Sequence, residues 1–290
     1  MIPKILSIGE IIWDVYENES LIGGAPLNFA AHAKRCGAES FMISAVGKDK
    51  LGEDAIKIIK NLQIDERFIK TSSFPTGKCE VTLNESGIPS YNVLSNTAFD
   101  NIILSDTDIE EIKKLSFDAL YFGTLIQRNT VSKAALEKLC RLCTFKEIIC
   151  DINLRKNCYN RDSAVLCLEN ATILKISDEE EPLLRAFELY SIRSGDSESI
   201  AKAISASYPN IKYVVITLGE KGSYAYDCRT QNGFCVPEKK VDVVSTVGAG
   251  DSYTAALCSS LLFGEPLPKA VEKATTLSAY VVAHKEAIPL

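Results

Sequence analysis

The chain has 290 residues, 46% of them hydrophobic and 24% charged, so it carries ample material for a buried core and falls outside the disordered class. Its 32 lysines and arginines against 38 acids give a net charge of −6 without a long basic run, which makes nucleic acid a poor default partner. The N-terminal apolar stretch is too short for a signal peptide and no later run reaches the ~18 to 20 residues of a membrane span, so a cytoplasmic protein with no membrane partner is expected.

Short apolar strands alternate with amphipathic helices, the pattern of an α/β fold with a mostly parallel sheet. Residues 4–8 predict a strand, 28–36 a helix closed by Gly37, 41–46 a strand and 51–62 a helix. A different texture follows: residues 76–83 and 89–94 are strand-like and split by a turn signal at 84–87, which predicts a β-hairpin rather than a βα unit. Residues 11–16 also alternate without a helix of their own. Together these inserted strands, at about residues 11–22 and 74–100, are expected to form a small protruding sheet suited to act as a lid. The βα rhythm resumes with helix 106–115, strand 119–122, helix 131–143, strands 147–151 and 172–176, helix 197–207 and strand 213–218. Glycine turns and the lack of a long linker predict one domain over residues 1–290.

The ten cysteines lie mostly in apolar segments and are expected as reduced thiols. Cys140 and Cys143 form a C-x-x-C followed by Cys150 and Cys158, a spacing that raises the question of zinc. Leu136, Leu139, Cys140 and Cys143, however, keep the i, i+3, i+4, i+7 spacing of one buried helix face. Only His32 and His284 are available for a histidine-based triad or metal site, and His32 within the helix at 28–36 reads as packed. Neither a P-loop nor a Gly-x-Gly-x-x-Gly after the first strand is present.

The most informative segment is a β-rich run from Val241 into the side-chain-poor turn Gly248, Ala249 and Gly250, followed by a helix that begins at Asp251. Backbone N–H groups at such a helix start converge on an anion, and small residues let a phosphate approach them. Asp251 in that position suits a base that takes the proton of a hydroxyl attacking the phosphoryl group, and it equally suits a helix cap. Gly23 and Gly24 precede a second helix carrying Asn28, whose amide both donates and accepts, and Asp14 is a short acceptor for paired hydroxyls. Asp151, Asn153 and Arg155 fall at one strand end and Thr217, Gly219 and Gly222 at another, where open α/β sheets bind ligands. A plain hairpin turn also accounts for Gly219 and Gly222.

These segments, in this order and over essentially the whole chain, resemble the ribokinase-type carbohydrate kinases, the phosphofructokinase-B family. Gly23, Gly24 and Asn28 are similar to its N-terminal signature, and Gly248, Ala249, Gly250 and Asp251 to its C-terminal one. Within the family the likeness is to fructokinases, through Gly9-Glu10, Trp13-Asp14, Ala98-Phe99-Asp100, the run Gly123 to Arg128, and Asp151-x-Asn153-x-Arg155. The resemblance implies a three-layer α/β/α sandwich with a β lid, and MgATP-dependent phosphorylation of fructose at a primary hydroxyl. It implies Asp251 as catalytic base in an anion hole of Gly248 to Gly250, with Asp14, Gly23, Gly24, Asn28 and Arg128 toward the sugar and Arg155 toward phosphates or sugar. It further implies Ser177, Thr217, Gly219 and Gly222 toward ATP, and Glu180 organising Mg²⁺ through water.

Three positions depart from the family pattern: Ser177 replaces an asparagine, Ser245 an aspartate and Glu286 a glycine. The last two border the monovalent-cation site of potassium-activated relatives and argue against potassium dependence. Another acceptor (ribose, 2-keto-3-deoxygluconate, a nucleoside) and a non-catalytic sugar- or nucleotide-binding regulator stay open at this level. The lid's edge strands suggest a homodimer.

Overall fold

The computed structural model describes residues 1–83, 89–192 and 195–289. Strand β1 (Lys4–Ile8) leads into a tight pair, β2 (Ile12–Val15) and β3 (Ser20–Gly23), before helix α1 (Ala25–Arg35). Then come β4 (Glu39–Gly47), α2 (Lys50–Asn61), β5 (Asp65–Ser72), β6 (Gly77–Leu83) and β7 (Pro89–Val93). The middle of the chain supplies α3 (Asp106–Leu115), β8 (Ala119–Phe122), α4 (Thr130–Leu142), β9 (Glu147–Asp151), α5 (Arg161–Asn170), β10 (Ile173–Ser177) and α6 (Glu181–Ala186). It closes with α7 (Ser197–Ser207), β11 (Tyr213–Thr217), β12 (Ser223–Asp227), β13 (Asn232–Val236), α8 (Ala249–Leu262) and α9 (Leu267–Val282).

Among the described residues, nine strands form the main sheet in the order β13-β12-β11-β10-β9-β8-β1-β4-β5. Every pair from β11 to β5 is parallel, and only β12 and β13 at one edge are antiparallel. Strands of this sheet are apolar on both faces because helices cover both. Alternation sorts them: Leu6 and Ile8 of β1 pack with Ile109, Leu136, Leu168 and Ile204 of α3, α4, α5 and α7. Ile5 points the other way, with Phe29 of α1, Leu257 of α8 and Val271 of α9. The result is the expected three-layer α/β/α sandwich. The Phe29 ring stacks on Tyr121 of β8 with centroids 3.8 Å apart, fixing α1 against the centre of the sheet.

The second sheet has the order β3-β2-β6-β7, with β2 and β6 parallel and the other two pairs antiparallel. The inserted strands therefore do form a sheet of their own, while the turn expected at 84–87 lies outside the described residues.

Some expectations shift. Helix α1 starts at Ala25 rather than residue 28, because Pro26 fits the first helical turn, where its missing N–H costs nothing. The β-rich run expected from Val241 is no strand: Val244 and Ser245 N–H groups donate to the Val282 carbonyl instead of a sheet neighbour, and Val243 and Val244 are exposed. Of the C-x-x-C, Cys140 sits on α4 and packs against the core, while Cys143 is buried in the core at the extended residue that ends α4, one short of the helix end expected at 143.

Because seven neighbouring strands run parallel, their carboxyl ends gather at one edge of the sheet. Glu10 after β1, Asp151 at the end of β9, Ser177 at the end of β10 and Thr217 at the end of β11 all reach that edge.

Candidate active site

Helix α8 begins at this edge. Its N-cap, Gly248, has φ 81°, and a Cβ there would stand 2.8 Å from the Ala287 Cβ and 2.9 Å from the Ala287 carbonyl oxygen. Both the left-handed backbone and the C-terminal segment pressed against it therefore require glycine. Asp251 follows in the first turn and is buried. Its Oδ2 accepts a 2.7 Å hydrogen bond from Asn28 Nδ2, which α1 delivers from the opposite end of the sequence.

Gly23 and Gly24 bring the small sheet to the same point. Gly24 turns the chain into α1 at φ 109°, and a Cβ there would meet the Glu10 carbonyl oxygen at 2.6 Å. A Cβ placed on Gly23 would lie 3.6 Å from Asp14 Oδ2 and 3.7 Å from Asn28 Oδ1. Asp14, Gly23, Asn28 and Asp251 thus converge. Asn28 Oδ1 is buried there and has no hydrogen-bond partner among the described residues, an acceptor aimed at the cleft.

Burial dominates the electrostatics. It raises the Asp251 carboxyl above the usual carboxylate range, moderated by the Asn28 hydrogen bond and by the charges of Arg155 and Lys175. Burial likewise raises Asp14 to about 6, with Arg155 and a hydrogen bond from Cys79 opposing it. Glu10 rises to about 7 through burial; its Oε1 accepts from the Ala25 N–H at 3.1 Å. Arg155 is exposed, forms no ion pair among the described residues, and lends its charge to all three acids.

On the other side of Asp251, Asp151 Oδ1 pairs with Lys175 Nζ at 3.0 Å, both buried. Glu180 accepts from the Leu154 N–H at 2.7 Å through one oxygen and from the Ser177 N–H at 2.8 Å through the other. Ser177 Oγ accepts from the Glu180 N–H at 3.3 Å, so the serine spends its hydroxyl on closing this turn. Ser245 does the same locally, its Oγ accepting from the Val247 N–H at 3.2 Å, and Glu286 is exposed.

Ser177 and Thr217 are register partners at the strand ends, and Gly219 is open to solvent just beyond. Gly222 is buried instead: a Cβ there would meet the Val236 carbonyl oxygen at 2.0 Å, and it belongs to the β11–β12 hairpin connection. Among the described residues no cluster of three or more His, Cys, Asp or Glu could cage a metal. One half-buried carboxylate, Glu180, with both oxygens held by backbone N–H groups, fits a magnesium ion carried on phosphates and touched through water.

Arg128 lines a cavity of about 600 Å³ together with Tyr91, Asn92, Leu154, Arg155 and Lys156. Its guanidinium fork is already engaged by Asp100, at 2.7 and 2.8 Å, and by the Val93 and Leu94 carbonyls, with the Phe99 ring beneath. Arg128 therefore walls the cavity, and Arg155 and Lys156, which form no ion pair among the described residues, are the lining cations able to meet a ligand there. Glu10, Lys175 and Asp100 escaped the sequence reading as site-forming residues. A charged residue inside an otherwise apolar strand, as Lys175 is in β10, was the signal available for one of them.

The family model described as pfkB family carbohydrate kinase matches residues 4–290. Fructokinase-2 of Zea mays is 24% identical over 283 residues, covering 92% of this chain and 81% of the relative. The 5-dehydro-2-deoxygluconokinase of Geobacillus kaustophilus is 26% identical over 302 residues, covering 96% and 87%. Among solved structures, a sugar kinase of Pyrococcus horikoshii in complex with ATP superposes with a TM-score of 0.79 at 26% identity, covering 98% of this chain and 94% of that one.

Proposed function

Since the chain belongs to the pfkB family of carbohydrate kinases, we propose that it transfers the γ-phosphoryl group of ATP to a primary hydroxyl of a ketohexose, converting fructose to fructose 6-phosphate. The observation that carries this reading is the convergence of Asp14, the unpartnered Asn28 Oδ1 and the buried Asp251 on one point of the cleft. An acceptor for paired hydroxyls, a second acceptor and a base beside a helix N-terminus are what a polyol phosphorylated at one end requires.

In this reading Asp14 and Asn28 hold the sugar against Gly23 and Gly24, with Arg155 above it. Asp251 takes the proton of the attacking hydroxyl; the sugar oxygen bonds to the γ-phosphorus as the bond to the β,γ-bridging oxygen breaks, and ADP leaves. A base raised by burial, yet held ionisable by Asn28, Arg155 and Lys175, is suited to neutral pH. The N–H groups of the Gly248 to Gly250 turn, with the positive end of α8, stabilise charge on the transferring group. Magnesium on the phosphates would add charge neutralisation, with Glu180 as the residue to hold it through water. Ser177, Thr217 and Gly219 flank the nucleotide, and Gly222 shapes the turn that carries Gly219. The second sheet, which supplies Asp14, acts as the lid of a single unit spanning 1–290 and excludes water on closing.

The test is ADP release with MgATP against fructose, ribose, 2-keto-3-deoxygluconate and adenosine, with Asp251→Asn as control and the product's phosphate located by NMR. Fructose-dependent turnover that the substitution reduces by about a hundredfold or more supports the reading. Turnover confined to another acceptor would reassign the substrate, and none with any acceptor would favour a binding protein.

A further inference from the structure

Lys175 enters the chemistry above only through its charge on Asp251, yet its ammonium group is buried in a network of its own beneath the turn. Leu174 and Ile176 turn to one face of β10, so alternation sends Lys175 to the other, the face that packs on α8. Its register partner is Asp151 of β9. Nζ and Asp151 Oδ1 are 3.0 Å apart, with side-chain exposures of only 8% and 1%. The second oxygen of Asp151 lies 3.1 Å from Thr254 Oγ1, which in turn lies 2.8 Å from the Gly250 carbonyl oxygen. A Cβ placed on Gly250 would stand 3.0 Å from Lys175 Nζ. The three side chains thus form a polar floor under the turn that precedes Asp251. Removing two charges from water is costly, and a pair of this kind is weak as a stabilising device.

We propose that Lys175, oriented by Asp151, is a positioning residue of the phosphoryl-transfer site: its ammonium group supports the Gly250 turn from within and presents a fixed positive charge to Asp251. This rests on the reading of Asp251 as the base. The groups that face Asp251 are Asn28 from α1, Glu10 after β1, Tyr121 of β8, Asp151 of β9, Arg155 after β9 and Lys175 of β10. Lys175 favours the ionised base, whereas Asp151 opposes it.

The two members of the pair therefore have opposite effects, which packing damage would not reproduce. In Lys175→Gln the acid limb of the kcat profile moves to higher pH, by about one unit, and plateau kcat falls by about tenfold or more with acceptor KM little changed. In Asp151→Asn, which keeps the lysine, the limb moves to lower pH. Limbs that stay in place, or move in the same direction, overturn the proposal. Should Lys175→Gln fail to fold, as judged by circular dichroism, Asp151→Asn alone decides: a downward shift supports the proposal and an unmoved or raised limb overturns it. Near-normal turnover in Asp251→Asn would instead overturn the base reading beneath it.

Discussion

Asn28 Nδ2 stands 2.7 Å from Asp251 Oδ2, a buried hydrogen bond between residues 223 positions apart that ties the first turn of α1 to the first turn of α8. Asn28→Ala removes both this bond, which lowers the Asp251 pKa, and the unpartnered Oδ1 beside Gly23. The acid limb of kcat should therefore shift to higher pH, and acceptor KM should rise by about tenfold, the size of one lost hydrogen bond. ATP KM should be unaffected. Initial-rate kinetics across a pH series would reveal this split, and a uniform loss in both KM values would count against it.

Glu10 yields a stability prediction whose sign follows from its burial. Its carboxyl stands at about 7 in the fold against an ordinary 4.5, so folding takes up a proton between those values. The stability associated with the protonated group is fully present below about 4.5 and is lost as pH rises through about 7. Glu10→Gln keeps an acceptor for the Ala25 N–H and cannot ionise. Relative to this variant, the parent protein should lose on the order of 3 kcal/mol in urea melts between pH 4.5 and 8. Parallel pH profiles for the two proteins would remove Glu10 as the source.

Arg128 and Asp100 form a bidentate pair with side-chain exposures of 10% and 2%. Breaking one member leaves the other buried and unmatched, so Arg128→Met and Asp100→Leu should each cost about 3–5 kcal/mol. The double variant should cost less than their sum. A denaturant double-mutant cycle measures the coupling, and strict additivity would show that the pair does not act as a unit.

These residues also mark what was legible in the sequence. The sandwich was readable because buried parallel strands write continuous apolar runs and their covering helices write amphipathic ones, as in 4–8 and 51–62. The glycine turns stood out because a chain that must turn left-handed, or pass close against another segment, excludes side chains, as Gly24 does beside the Glu10 carbonyl and Gly248 beside Ala287. Partnerships were not: nothing local pairs Arg128 with Asp100, Lys175 with Asp151, or Ala287 with Gly248, since each contact is made only when distant strand ends meet. The segment from Val241 misled because β-branched residues signal a strand even where the backbone bonds to a helix end, here at Val282.

The last of those contacts makes the Gly248 turn depend on the C-terminal segment. His32, fully buried one helical turn after Asn28, donates from Nε2 to the Ala287 carbonyl at 2.8 Å, and Arg35, one turn further, donates to the Pro289 carbonyl. Burial lowers the His32 pKa to about 4, so the ring is neutral and the bond is constant across the working pH range. One stripe of α1 thus holds Asp251 directly and presses Ala287 against Gly248. Gly248→Ala forces a side chain into φ 81° and into Ala287, and should lower kcat by about a hundredfold, the scale of a lost anion-hole donor. His32→Leu leaves the Ala287 carbonyl unpaired and should lower kcat by about tenfold through the same turn, with acceptor KM unchanged. His32→Gln, whose amide nitrogen can reach that carbonyl, should recover most of the loss. Equal kcat in the Leu and Gln variants would separate the C-terminal segment from the turn and leave His32 with a packing role only.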